Sequence, residues 1–125
     1  MGIKFDMVGI VVKDMRKALE FYRLLGLEIP ENANDEKHVE VAQGSFRLAF
    51  DVQETIRDVY GGWDEPTGHR IELAFLCDSR GEVDELFHKI TEHGYNGHRD
   101  PWDAFWGQRY AIVQDPDGNL ISLFA

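Results

Sequence analysis

Apolar and polar positions change period several times along this chain, and each change marks an element. The stretch "KFDMVGIVV" (4–12) is β-branched and apolar and predicts a strand. Asp14 follows as a helix N-cap. In "MRKALEFYRLLG" (15–26), Ala18, Phe21, Tyr22 and Leu25 recur at helical spacing, so one helix face is buried, and Gly26 ends the helix. Past Pro30 a polar loop leads to "KHVEVAQGSFRLAFDV" (37–52). Two alternating runs flank Gln43-Gly44-Ser45 there and predict a hairpin.

The same order returns in the second half. "RIELAFLC" (70–77) reads as a strand, and Ser79-Arg80-Gly81-Glu82 as a capping box. Val83, Leu86, Phe87 and Ile90 form a helical stripe, which Gly94 closes. An aromatic-rich loop, "NGHRDPWDAFWG" (96–107), leads to "QRYAIVQ", the turn Asp115-Pro116-Asp117-Gly118-Asn119, and "LISLFA". Each half therefore reads strand, helix, hairpin, an internal repeat of roughly sixty residues that suits a duplicated βαβββ module. Between the halves, "QETIRDVYGGWDEPTGH" (53–69) reads as a long connection with turns at Gly61-Gly62, Pro66 and Gly68.

Strand alternation separates two kinds of face. Phe46, Leu48 and Phe50 share one face, and Arg47, Ala49 and Asp51 the other. Ile71, Leu73, Phe75 and Cys77 oppose Arg70, Glu72, Ala74 and Leu76. The apolar faces belong against the helices, which leaves the mixed faces to line a cleft.

Composition narrows the function classes. The 125 residues are 43% hydrophobic and 29% charged, as in an ordinary soluble domain. No apolar run nears the ~20 residues of a membrane span, and the first residues lack the features of a secretory signal. A single cysteine, Cys77, rules out an internal disulfide and suits a reducing cytoplasm; its apolar surroundings predict a buried structural thiol. Net charge is −10, divided as −3 over 1–60 (8 basic, 11 acidic) and −7 over 61–125 (5 basic, 12 acidic). With no basic cluster the chain is not expected to bind nucleic acid, and its field favours a cationic small molecule.

The pieces "VVKDMRKALEFYRLLGLEI" and "FWGQRY…DPDGNLISL" resemble the vicinal oxygen chelate superfamily of glyoxalase I, extradiol dioxygenases and bleomycin-resistance proteins. The resemblance covers essentially the whole chain. It implies an α+β fold over 1–125, in which two βαβββ modules, about 1–60 and 69–125, cup a mixed sheet around a cleft with the helices outside. It also implies that the chain forms a homodimer. Metal-dependent members place one ligand on each of four strands, and by position these fall at Met7, Ala49, Glu72 and Ser122. A thioether, a methyl, one carboxylate and a hydroxyl are a poor donor set for a catalytic divalent ion, so no metal and no cofactor is expected. The histidines (His38, His69, His88, His93 and His98) show no HxH or HExxH spacing that would replace the missing ligands.

The cleft is then expected to bind through Met7, Arg47, Ala49, Arg70, Glu72 and Ser122, joined by loop tryptophans Trp63, Trp102 and Trp106, with Phe105 beside them. The resulting expectation is a metal-independent, cytoplasmic binding protein of the bleomycin-resistance type that sequesters an aromatic, cationic compound. The alternatives are a metal-independent lyase or isomerase with Glu72 as general acid/base, and a noncatalytic regulatory module.

Overall fold

Two runs of strands, each backed by helix, account for most of the chain; the computed structural model describes residues 2–125. The chain divides into two compact units: residues up to Arg23 with Leu27–Pro66, and Leu24–Gly26 with Thr67–Ala125. Elements run β1 (Met7–Val12), α1 (Met15–Leu24), a 3₁₀ turn (Glu31–Asp35), β2 (His38–Gln43), β3 (Phe46–Val52) and α2 (Gln53–Tyr60). Then follow β4 (Glu72–Leu76), α3 (Arg80–Glu92), β5 (Gly97–Asp103), β6 (Arg109–Gln114) and β7 (Leu120–Phe124). No helix among the described residues is long and apolar enough to cross a membrane.

The first unit holds a three-stranded sheet in the order β1-β3-β2, with β1 parallel and β2 antiparallel to β3. Asp14 starts α1 by accepting the Lys17 amide at 3.1 Å. The stripe Ala18, Phe21 and Tyr22 is fully buried, and the Tyr22 ring lies 4.9 Å from Phe50 of β3. Each such aromatic contributes about 1.5–3 kcal/mol by leaving water.

The second unit holds a four-stranded sheet, β4-β7-β6-β5, with β4 parallel to β7 and the rest antiparallel. Helix α3 packs across β5, β6 and β7 and buries Val83, Phe87 and Ile90 beside Ala111, Val113, Ile121 and Leu123. The capping box forms. Ser79 Oγ accepts the Glu82 amide at 3.1 Å, while the Glu82 carboxylate reaches back to the Asp78 amide, one residue beyond the cap. Cys77 is buried, and burial together with the nearby Glu82 charge raises its thiol pKa, so the thiol stays neutral.

The structure corrects the sequence-based reading at two places. The connection after β3 is not all loop: Gln53–Tyr60 is a helix that packs on β3 and β1 through the buried Ile56. A single buried residue leaves too faint a periodic signal to mark a helix. The aromatic segment is also not all loop, because Gly97–Asp103 is strand β5, so Trp102 lies on a strand. Pro101 disguised it; β5 is an edge strand with register shifts on either side of Arg99, which is where a sheet tolerates proline. The second unit therefore has the full βαβββ order. The first runs βαββ, with the 3₁₀ turn after Pro30 at the corresponding point in the chain.

The Asp115–Asn119 turn that aligns β6 with β7 is built on one carboxylate. Asp115, 5% exposed, accepts the Asp117 and Asn119 amides on Oδ1, both at 2.9 Å, and the Asn119 side-chain amide on Oδ2 at 2.8 Å. Removing it strands part-buried donors at about 1–3 kcal/mol each. Asp115→Ala should therefore lower the unfolding free energy by about 2–4 kcal/mol in urea denaturation. Asp115→Asn, which retains an acceptor for the two backbone amides, should lose less.

Candidate functional site

Strand register decides which side chains share the open face of each sheet. In the first unit the pairs Met7↔Arg47, Gly9↔Ala49 and Val11↔Asp51 meet Ala42↔Arg47, Glu40↔Ala49 and His38↔Asp51. Opposite them, Ile10, Val12, Leu48, Phe50, Val39 and Val41 are buried. Met7, Arg47 and Ala49 therefore share one face, and Met7 is 41% exposed there.

That face also carries a chain of charges that the sequence reading overlooked. Arg47 donates to Asp6 and to Glu40, both at 2.5 Å. His38 contacts Glu40 through Nε2 at 2.8 Å and Asp51 through Nδ1 at 2.5 Å. An imidazole with a carboxylate at each nitrogen is satisfied fully only when both nitrogens carry protons. Accordingly the His38 pKa is raised, first by Glu40 and then by Asp51, and Glu40 is lowered by His38 and then Arg47. The signal was present in the sequence. His38 and Glu40 stand two apart on one strand, and the Gln43-Gly44-Ser45 hairpin places them opposite Asp51 and Ala49.

In the second unit the open face carries Glu72, Ala74 and Leu76; Leu120, Ser122 and Phe124; Tyr110, Ile112 and Gln114; and Arg99 and Trp102. Ser122 is fully buried and donates to Glu72 Oε2 at 2.9 Å, while the Tyr110 hydroxyl donates to Oε1 at 3.3 Å. Glu72 thus meets two hydroxyls instead of an arginine. Arg70 lies exposed on the bend before β4 and makes no ion pair among the described residues. Tyr110 is a further residue the sequence reading passed over, although alternation in "RYAIVQ" puts it on the Ile112 face, opposite Ser122.

Aromatic rings gather beside that carboxylate. Tyr110 lies 5.2 Å from Trp102, 5.4 Å from Trp106 and 6.0 Å from Phe124. Trp102 and Trp106 meet edge to face at 6.4 Å, and the Arg99 guanidinium sits 3.5 Å over the Trp102 ring. The turn bearing Trp106 is braced from behind. Arg80 bonds Asp103 and the Gly107 carbonyl; Arg109 bonds Asp103 and grips Asp84 of α3 with two bonds of 2.9 and 3.0 Å. Trp106 remains 50% exposed and Phe105 96%. The partners of Trp63 are Tyr60 and Glu65, not Met7, Arg47 or Ala49.

The metal-bound form implied by the resemblance does not fit these side chains. Ala49 offers no donor, Met7 only a thioether, and the Ser122 hydroxyl is committed to Glu72, whereas a catalytic divalent ion takes about three N, O or S ligands. Among the described residues no three His, Cys, Asp or Glu side chains are arranged to hold an ion.

Two helix-backed mixed sheets, of three and four strands, define an α+β protein. The chain belongs to the Glyoxalase/Bleomycin resistance protein/Dioxygenase superfamily, whose model matches residues 4–123. It is 27% identical to the uncharacterized protein YraH of Bacillus subtilis (strain 168) over 125 residues, 98% of each chain. A structure of hypothetical protein SA1046 from S. aureus matches with a TM-score of 0.82 at 22% identity, covering 100% of this chain and 94% of that one. A lactoylglutathione lyase from Agrobacterium tumefaciens matches with a TM-score of 0.69 at 21% identity, over 97% and 92%. Likenesses at these structural identities establish the fold.

The signs of the two shifted groups on the first face give opposite pH dependences. His38 is raised above its ordinary 6.5, so its stabilisation is complete below 6.5 and is lost as pH rises through the raised value. Glu40 is lowered below its ordinary 4.5, so its contribution holds above 4.5 and fades as pH falls through the lowered value. NMR titration of the His38 ring should give a midpoint above 6.5, which falls in Glu40→Gln. A midpoint at or below 6.5 in the unaltered protein would refute the carboxylate bracket.

Proposed function

We propose that this protein is a metal-independent small-molecule binder of the bleomycin-resistance type, which sequesters a planar aromatic cation on the open face of its second unit. The observation that carries this reading is the braced aromatic wall of Trp102, Trp106 and Tyr110 beside Glu72. Rings stack on flat ligands and offer their faces to cations, at about 0.5–2 kcal/mol per good contact. Glu72 supplies the opposite charge, and the net charge of −10 draws cations toward the chain. In the same reading the working form is a cytoplasmic homodimer, and an antibiotic is a fitting ligand.

A second reading is favoured by the hydroxyls themselves. An accessible carboxylate bonded to Tyr110 and Ser122 is a candidate proton carrier in a metal-independent lyase or isomerase, with Glu72 as general acid/base. Turnover that resists chelators and vanishes in Glu72→Gln would select it.

The binding reading is tested by fluorescence in the Trp63→Phe variant, where only Trp102 and Trp106 report. Acriflavine and a panel of planar cationic antibiotics should include a compound that quenches saturably. Tyr110→Ala should weaken that binding about tenfold, and Glu72→Gln by about two- to fivefold, since an exposed ion pair contributes at most about 1 kcal/mol. Silence across the panel overturns the proposal.

A further inference from the structure

The chain leaving α2 builds an aromatic jaw. Tyr60 is the last residue of α2 and is 64% exposed. Gly61 closes the helix in the left-handed conformation, at φ 79°, and the Gly62 amide bonds back to the Arg57 carbonyl at 2.9 Å. This reversal sets the ring of residue 63 against that of residue 60. The two rings are close to parallel, with an interplanar angle of 30° and centroids 6.4 Å apart.

One side of the jaw is held and the other is free. The Trp63 indole donates to Glu65 Oε2 at 3.1 Å, and Glu65 is in turn held by Lys13 at 3.3 Å and Gln53 at 3.4 Å. Tyr60 has no bond from its hydroxyl among the described residues, and its partner in ring contact is Trp63. An open depression of about 580 Å³ lies here, lined by Tyr60, Gly61, Gly62, Trp63 and Asp64. The two glycines present bare backbone to it, and a Cβ on either would meet nothing within 4 Å. Asp64 is exposed and makes neither an ion pair nor a hydrogen bond among the described residues, which leaves its charge open to a ligand.

The spacing selects the ligand. A flat ring inserted between two others needs about 7 Å, twice the ~3.5 Å contact distance of carbon atoms. The ring centroids stand 6.4 Å apart at an angle of 30°, so a flat ring enters as Tyr60, exposed and without a hydroxyl bond among the described residues, swings outward. We propose that Tyr60 and Trp63, with Asp64 beside them, form a second binding site for a flat aromatic cation, separate from the Trp102–Tyr110 wall and independent of whether that wall binds anything. The indole, fixed through Glu65, is the platform; Tyr60 closes from the opposite side; and the Asp64 carboxylate offsets the ligand's charge.

The test uses the full chain carrying Trp102→Phe and Trp106→Phe, so that Trp63 is the sole tryptophan, with N-methylquinolinium as the probe and circular dichroism confirming the fold. Trp63 fluorescence should be quenched saturably. The dissociation constant should rise about tenfold when Tyr60→Ala is added and two- to threefold when Asp64→Asn is added. Naphthalene, of like shape without the charge, should bind several-fold more weakly than the cation. Quenching that does not saturate, or saturable quenching unchanged by Tyr60→Ala, overturns the site. Equal affinity for naphthalene overturns its preference for cations. The Trp63→Phe experiment reads the other wall alone, so the two proposals fail separately.

Discussion

A hydroxyl buried at the centre of a sheet must find an acceptor, and the backbone around Ser122 is already engaged in the ladder between β4 and β6. The only relief is a side chain on the same face of a neighbouring strand. Parallel pairing of β4 with β7 brings Glu72 within 2.9 Å, so the Ser122 hydroxyl and the Glu72 carboxylate complete each other. An unsatisfied group there would cost about 1–3 kcal/mol, enough to make the pairing a structural requirement rather than an incidental contact. Tyr110 extends the same logic from β6, and its ring in turn anchors the aromatic cluster. The chemistry of the second face is therefore organised outward from one small polar side chain at a position where metal-dependent relatives are expected to carry a carboxylate.

The first face solves a different problem with different groups. Its strands bring together Asp6, Glu40 and Asp51, three carboxylates whose mutual repulsion must be offset. Arg47 and His38 alternate with them, so each carboxylate adjoins a basic side chain along the series. Because these groups are accessible to water, each contact is weak by itself, about 0–1 kcal/mol; the order of the series matters more than any one link. Met7 and Gly9 provide a low surface beside it, whereas Ala49, on the same face, is fully buried. One unit thus carries a series of ion pairs on its open face and the other aromatic rings, a difference that strand alternation permits because alternate residues answer to the core and their neighbours do not.

Local rules made much of this legible. Asp14, Ser79, Gly26, Gly94 and the Asp115–Asn119 turn bound their elements as their side chains require, and period-two alternation assigned Ala49 and Glu72 to the open faces before any register was known. What escaped depended on non-local context. Helix α2 buries only Ile56, so its period is invisible to a pattern search. Strand β5 contains Pro101, which reads as a loop until the strand is known to lie at a sheet edge. The sequence also placed Trp63, Trp102 and Trp106 in one class, whereas Trp102 is on a strand and meets the turn residue Trp106, and the ring partner of Trp63 is Tyr60. His38, Glu40 and Tyr110 went unrecognised for a related reason: their importance lies in which residues stand across the ladder, and that follows from composing two hairpin registers with the alternation rule.

Ligation and stacking make opposite demands on a protein surface. A metal centre concentrates several lone pairs on one point and excludes competing contacts, which tolerates few substitutions among its ligands. A stacking surface needs area, rigidity and a modest charge, and these can be assembled from many residue combinations. Here the turn around Trp106 is held by Arg80, which bonds Asp103 and the Gly107 carbonyl, and by Arg109, which bonds Asp103 and Asp84, while the indole itself donates to Gln108. Arg99, stacked on Trp102, shows that a flat cation already finds one of these rings a suitable partner. An incoming cation would meet the remaining rings with Glu72 alongside, a carboxylate that among the described residues is paired with no arginine. On this face the Ser122 hydroxyl is committed to Glu72, and what the face presents is ring area beside a single carboxylate.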